Sequence, residues 1–186
     1  MRHAETLTAL IRRDEERQRI LSLVYSLDLP DCWIAAGFVR NAVWDCLHGR
    51  SPSLSSGDVD VIWFDPAQSE KDIDLQLEAR LRHLDGAIAW SVKNQSRMHS
   101  GNDDPPYHSA SDAMRFWPET ATATAIRYVK GGALEIAAPF GLQDLYDALV
   151  RPTPRFQREK RALFDSRLKH KKWLEQWPLL LVAENE

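Results

Sequence analysis

Apolar residues recur at helical spacing near the start of the chain. Leu7, Leu10 and Ile11, then Ile20, Leu21, Val24 and Leu27, predict helix over residues 5–27. The wholly polar stretch Arg12–Arg19 between them leaves two alternatives, a pair of helices or one helix with an exposed middle. Cys32–Ala36 is a short apolar run bounded by turn residues and reads as a buried strand. Gly37 follows, and Val39, Ala42, Val43 and Leu47 predict a helix from Val39 to Leu47. Gly49–Gly57 is a Ser/Pro/Gly loop, and Val59–Phe64 is a second strand closed by Asp65-Pro66.

The pattern then repeats. Ile73, Leu77, Leu81 and Leu84 give one apolar face to a helix over Ser69–Leu84, with Ser69 and Asp72 as its capping pair. Ala87–Val92 reads as a third strand, Ser100–Pro106 as a loop and Ser109–Trp117 as a short helix. Thr122–Val129 and Ala133–Ala138 flank Lys130-Gly131-Gly132, a hairpin signal because paired glycines accept positive φ. A helix over Leu142–Val150 and a long basic one over Phe156–Trp177 complete the chain. Early strand–helix alternation followed by a hairpin predicts an α+β fold, a mixed β-sheet with flanking helices. The division expected is a single domain over 1–186: a helical extension 1–29, a core 30–152 and a basic helix 153–178.

Composition changes this picture little. With 186 residues, 44% hydrophobic and 27% charged, the chain is long enough for one sizeable core. No apolar run approaches a membrane span, and the N-terminus lacks a signal-peptide pattern, so a cytoplasmic protein is expected. Cys32 and Cys46 are too few for a zinc site and read as reduced thiols; six scattered histidines show no metal spacing. Charge distribution says more. Arg155–Lys172 holds eight basic residues against Glu159 and Asp165, a local +6 that leaves −9 on the rest of a chain of net −3. Such a segment reads either as a solvated helix face or as an arm for RNA or another polyanion.

The chemistry concentrates in two short segments. Gly37 stands where a strand meets a helix N-terminus, whose unpaired N–H groups and dipole suit a phosphate. Asp58 and Asp60 alternate with Val59 and Val61, so both carboxylates share one strand face. Two carboxylates that close repel unless a cation lies between them, and Mg²⁺, or Mn²⁺, takes such ligands together with water and substrate phosphates. Lys93, Asn94, Gln95, Arg97 and His99 crowd the end of the third strand, where ligands sit in open sheets. Lys93 or Arg97 would offset triphosphate charge, and Asn94 would hydrogen-bond a base or ribose. Of seven tryptophans, Trp33, Trp44 and Trp90 read as core, whereas Trp117 is open between core and base stacking.

Ala36-Gly-Phe-Val-Arg-Asn41 followed by Gly57-Asp-Val-Asp-Val61 resembles the nucleotidyltransferase superfamily with the DNA polymerase β-like catalytic fold. It is particularly similar to tRNA nucleotidyltransferases and bacterial poly(A) polymerases, which carry Gly-Gly-x-Val-Arg-Asp and Asp-x-Asp. Trp90–His99, Trp117–Ala123 and Ala138–Leu145 resemble a narrower bacterial family of nucleotidyltransferase-like proteins, so the likeness covers about residues 30 to 155. It implies transfer of a nucleoside monophosphate from an NTP to an acceptor, with pyrophosphate release. Gly37, the Phe38 backbone, Arg40 and Asn41 would lie at the phosphates, and Asp58 and Asp60 would hold metal. Phe38 occupies what reads as the place of a second small residue, and Asn41 that of the aspartate. The superfamily also uses a third carboxylate on a later strand. Glu135, alternating with Leu134 and Ile136, is the candidate ligand and base, on the expectation that its hairpin arm folds against the Asp58–Asp60 strand. The alternative function is a non-catalytic nucleotide- or partner-binding module, such as a toxin–antitoxin component, on the same fold.

Overall fold

The computed structural model describes residues 2–54 and 57–183. Met1, Ser55 and Ser56 of the Ser/Pro/Gly loop, and the last three residues of the expected domain lie outside the described residues. The N-terminal pattern resolves into two helices, α1 (Arg2–Arg12) and α2 (Glu15–Tyr25). Asp14 separates them, because its side chain accepts from the Arg17 N–H and caps α2. Then come β1 (Trp33–Ala35), α3 (Gly37–Leu47), β2 (Val59–Trp63), α4 (Lys71–Leu84) and β3 (Trp90–Asn94). Ser69 does not cap α4; it ends the preceding 3₁₀ turn, which Asp65 caps through the Ala67 N–H. Two short helices, α5 (Met98–Asn102) and α6 (Ala110–Met114), lead to the hairpin β4 (Ala125–Val129) and β5 (Ala133–Ala137).

These five strands form one mixed sheet in the order β3-β2-β1-β4-β5; β2 and β3 are parallel and the other pairs antiparallel. Ile34, Val61, Val92 and Ile126 face the helices, where they join Leu7, Ile20, Val39, Trp44 and Leu81 in the main core. On the opposite face Trp33, Ala35, Ile62 and Ala125 pack in a smaller cluster with Ala110 and Met114 of α6. That face is only partly covered, and the cleft described below lies on it.

The C-terminal third departs most from the pattern reading. The stretch expected as helix over Leu142–Val150 is α7 (Gln143–Tyr146) followed by β6 (Leu149–Val150). The long basic helix is three pieces, α8 (Pro154–Gln157), α9 (Arg161–Lys171) and α10 (Trp173–Gln176). The strand β7 (Leu181–Val182) then pairs with β6. Nine residues separate Phe164 from Trp173, so at about 100° per residue an unbroken helix would put them on opposite faces. Lys172 adopts φ +51°, which turns the chain so that both rings are buried. Trp173 and Trp177 pack edge-on against Trp44, at 5.5 and 5.2 Å between ring centres. The Trp177 indole also donates to Asp45 at 2.8 Å. Burial of each indole stabilises the fold by roughly 4 kcal/mol, well above an exposed ion pair, so the arm belongs to the body. Among the described residues no helix is long and apolar enough to cross a membrane.

Candidate active site

The antiparallel register of β1 and β2 sets Ala35 opposite Asp60, so the end of β1 lies beside the start of β2. The chain leaving β1 enters α3 at once. Ala36 is its N-cap, held by its N–H to the Thr124 carbonyl, while its own carbonyl accepts from Val39 and Arg40. The Gly37 and Phe38 N–H groups find no acceptor among the described residues, so the first turn presents unpaired donors next to the Asp60 strand. The conformational demand falls on Ala36, whose φ of +54° and ψ of −121° suit glycine. Phe38 places its ring in the core, and its carbonyl accepts from the buried Arg17 Nε at 3.0 Å, which fixes this turn from behind.

Asp58 is exposed just before β2, and Asp60 is half-buried within it. Burial, then the Asp58 charge, pushes the Asp60 carboxyl up to about 6. Arg40, a hydrogen bond with Ser91 on the parallel strand β3, and Lys171 pull in the other direction. This donor set fits a hard divalent cation, which would relieve both the repulsion and the burial cost. Among the described residues no group of three or more His, Cys, Asp or Glu side chains is placed to hold a metal. A cation held by this pair would take most of an octahedral shell from water and phosphate oxygens. A cleft of about 250 Å³ opens beside Asp60, bordered by Ala36, Lys93, Gln95, Trp117 and Arg167 among others.

Several expected ligand contacts are committed elsewhere. Arg40 is buried, with its guanidinium 4.9 Å from the ring centre of Trp44 and 4.3 Å from that of Trp173. It donates to Thr122 Oγ1 at 2.8 Å and to Asn41 Oδ1 at 3.0 and 3.2 Å. Burial lowers its pKa to about 10, so it remains a cation beneath α3. Its guanidinium and Asn41 Oδ1 thus serve each other instead of reaching out to phosphate. Asn94 is fully buried, donating to the Asp65 and Gln68 carbonyls at 2.8 Å and accepting from the Asp65 and Ser96 N–H groups. It ties a turn together and has no group left for a base. Arg97 pairs with the buried Asp74 and donates to the Asn94 carbonyl, so it too is structural. Lys93 does border the cleft, with Glu78 at 3.9 Å.

Glu135 requires the largest correction. Alternation puts it on the same sheet face as Asp60, as expected, but β1 and β4 lie between β2 and β5. Three strand spacings amount to roughly 14 Å. It stands opposite Arg127 and pairs with it at 2.7 Å, in the row of Ile62 and not that of Asp60. No third carboxylate joins Asp58 and Asp60 from this strand.

The pattern reading missed Ser91, Thr122 and Glu119, and it did not bring the basic arm to the cleft that Arg167 borders. Glu119 is buried and accepts from Arg167 Nε at 2.7 Å, which anchors α9 at the cleft. The one signal available was the four-residue spacing of Arg167 and Lys171, which puts both on one helix face.

With this geometry in view, the nucleotidyltransferase family model matches residues 22–182. The chain belongs to the nucleotidyltransferase family. A solution structure described as revealing a CCA-adding enzyme head domain is 36% identical and superposes with a TM-score of 0.86. That match covers 97% of this chain and 95% of the other. A CCA-adding enzyme in complex with CTP shares the fold at 14% identity and a TM-score of 0.54, over 96% of this chain. A tRNA-processing enzyme complex does so at 16% and 0.53, over 88% of this chain. This nucleotidyltransferase spans only 43% of the length of each of those two enzymes. No curated protein matches it significantly. The α+β architecture with its mixed sheet is that of the family's head domain.

Proposed function

We propose that this nucleotidyltransferase holds an NTP with Mg²⁺ at Asp58 and Asp60 and transfers the nucleoside monophosphate to a hydroxyl acceptor. The observation that supports the reading is the Ala35–Asp60 register, which sets Asp60 beside the end of β1 and Ala36, the N-cap of α3, with Ala36 and Asp60 both bordering the cleft. When bound, a divalent cation supplies charge neutralisation at the phosphates and makes the attacking hydroxyl more acidic. The chain's own groups do the positioning. The Gly37 and Phe38 N–H groups donate to phosphate oxygens, and Asp58 and Asp60 supply the carboxylates opposite them. Arg40, fixed between two indoles, keeps a positive charge under the α3 turn. The acceptor hydroxyl gives its proton to solvent water as its oxygen bonds to the α-phosphorus, and the bond from that phosphorus to the bridging oxygen of the leaving pyrophosphate breaks.

The 36% identical head domain makes an RNA 3′-hydroxyl the first acceptor to test. Of the basic run Arg155–Lys172, Arg155, Lys160, Arg161 and Arg167 are held by Asp104, Asp165 and Glu119. Arg158, Lys169 and Lys171 are exposed and form no ion pair among the described residues, and Lys172 lies 3.9 Å from Glu175. The test is incorporation of label from each of the four α-labelled NTPs into RNA, with and without Mg²⁺, alongside Asp58→Asn and Asp60→Asn. Label incorporated by the wild type and lost in both variants is expected. Equal incorporation by Asp60→Asn, or none by the wild type with any NTP and total RNA, overturns the proposal.

A further inference from the structure

The carboxylate pair and a triphosphate bring several negative charges into one cleft, and one or two divalent ions leave part of that charge unbalanced. The cations nearest in sequence are not available for it. Arg40 is enclosed by Trp44, Trp173, Asn41 and Thr122, and Arg97 is bound to Asp74. The C-terminal arm is differently arranged. Arg167 borders the same cleft as Asp60. Its Nε is held by the buried Glu119, while its two Nη groups have no hydrogen-bond partner among the described residues. Lys171 follows one helical turn later on the exposed surface, and its charge bears on Asp60. It forms no ion pair within 4.0 Å among the described residues.

We propose that Arg167 and Lys171 of α9 form a triphosphate clamp, supplied by the folded-back C-terminal arm, that faces the Asp58–Asp60 pair across the cleft. Glu119 and Trp173 act as positioning residues. Glu119 holds the guanidinium at Nε, which leaves its Nη groups for phosphate oxygens. Trp173, stacked on Arg40 and 5.4 Å from the Arg167 guanidinium, fixes the helix that carries it. A guanidinium held at Nε presents two parallel donors to phosphate oxygens at little further entropic cost. The clamp therefore selects for the number of phosphates and not for the base. It rests on the reading of the cleft as an NTP site.

The probe is inorganic tripolyphosphate with Mg²⁺, titrated calorimetrically into the full chain, which removes base preference from the measurement. Mn²⁺ binding without phosphate, followed by electron paramagnetic resonance, reports the carboxylate pair alone. Lys171→Ala is expected to weaken tripolyphosphate binding about tenfold, and Arg167→Ala by more, with Mn²⁺ binding unchanged. Arg13→Ala, on the exposed turn between α1 and α2, controls for net charge and is expected to bind as the wild type does. Arg167→Ala strips Glu119 of its partner and can cost stability; Lys171→Ala, on an exposed side chain, carries the test if that variant fails to fold. If the wild type binds tripolyphosphate and Lys171→Ala binds it equally well, the clamp is overturned while the NTP reading stands. If the wild type binds Mn²⁺ but no tripolyphosphate, both fall together.

Discussion

The Arg40 guanidinium and the Trp173 ring centre lie 4.3 Å apart, although 133 positions separate them in sequence. This contact joins the first turns of α3 to the C-terminal arm. Both residues are buried, and Trp44 closes the other side of the cation at 4.9 Å. Trp173→Ala is therefore expected to cost about 3–5 kcal/mol, as large aromatic truncations in a core do. Urea unfolding followed by circular dichroism measures it. A loss below 1 kcal/mol would mean that the arm is only loosely attached.

Asp60 makes stability depend on pH in a stated direction. Its carboxyl is raised to about 6 in the folded protein from 3.8 unfolded, so the unfolded state releases its proton first. A group shifted this way costs nothing below about pH 4. It lowers stability progressively from there to about 6, and the full penalty persists above. Metal-free Asp60→Asn should accordingly match the wild type near pH 4 and exceed it near pH 7. Denaturation curves across that range in a chelator check the sign, and a wild-type advantage at pH 7 would contradict it.

The same proton competes with a cation. Mn²⁺ affinity is expected to fall below about pH 6, by up to tenfold per pH unit where one proton must be displaced. A titration followed by water-proton relaxation at pH 5, 6 and 7 would detect this. Flat affinity across those points would place the metal away from Asp60.

Ala36 holds a backbone conformation that glycine adopts more readily. Ala36→Gly should raise stability by about 0.5–1 kcal/mol, the relief at positive φ exceeding the added freedom of the unfolded chain. Ala36→Val should lower it, because a β-branched residue fits that region worse than alanine. A melting-temperature comparison of the three proteins decides, and the reverse order would refute the strain.

Glu135 should prove dispensable. Its pair with Arg127 is exposed, so Glu135→Gln is expected to change stability by no more than about 1 kcal/mol and to leave nucleotide transfer intact. A large loss of transfer rate would require Glu135 to reach a site from which two strands separate it.

Any RNA binding should carry a shallow salt dependence. Arg158, Lys169 and Lys171, at about 0.7 per contact on a single strand, imply a slope of roughly −2 in log affinity against log salt, instead of the steeper value that eight free cations would produce. Filter binding between 50 and 300 mM salt distinguishes the two.

The local reading was sufficient where chemistry depends on neighbours in sequence. Alternation drew attention to Asp58 and Asp60, which stand just before and within β2 with the Asp58 charge bearing on Asp60, and a glycine between an apolar run and a periodic segment located the α3 N-terminus. Most strands and helices followed from period and turn residues, because each buries one face or stripe. What no pattern carried was adjacency between strands. Glu135 had the correct face, but chain order does not say that β1 and β4 stand between its strand and β2. Nor does sequence distinguish a free cation from a satisfied one. Arg40 and Arg97 read as phosphate ligands until Trp173, Thr122 and Asp74, each from a separate element, enclosed or bound them. The basic arm likewise read as one long helix, either a solvated face or an arm for a polyanion. The need to bury Phe164 and Trp173, on opposite faces of a straight helix, broke it at Lys172 and brought Arg167 to the cleft. Burial, partner choice and strand order are properties of the packed chain as a whole, so only the tertiary structure decided them.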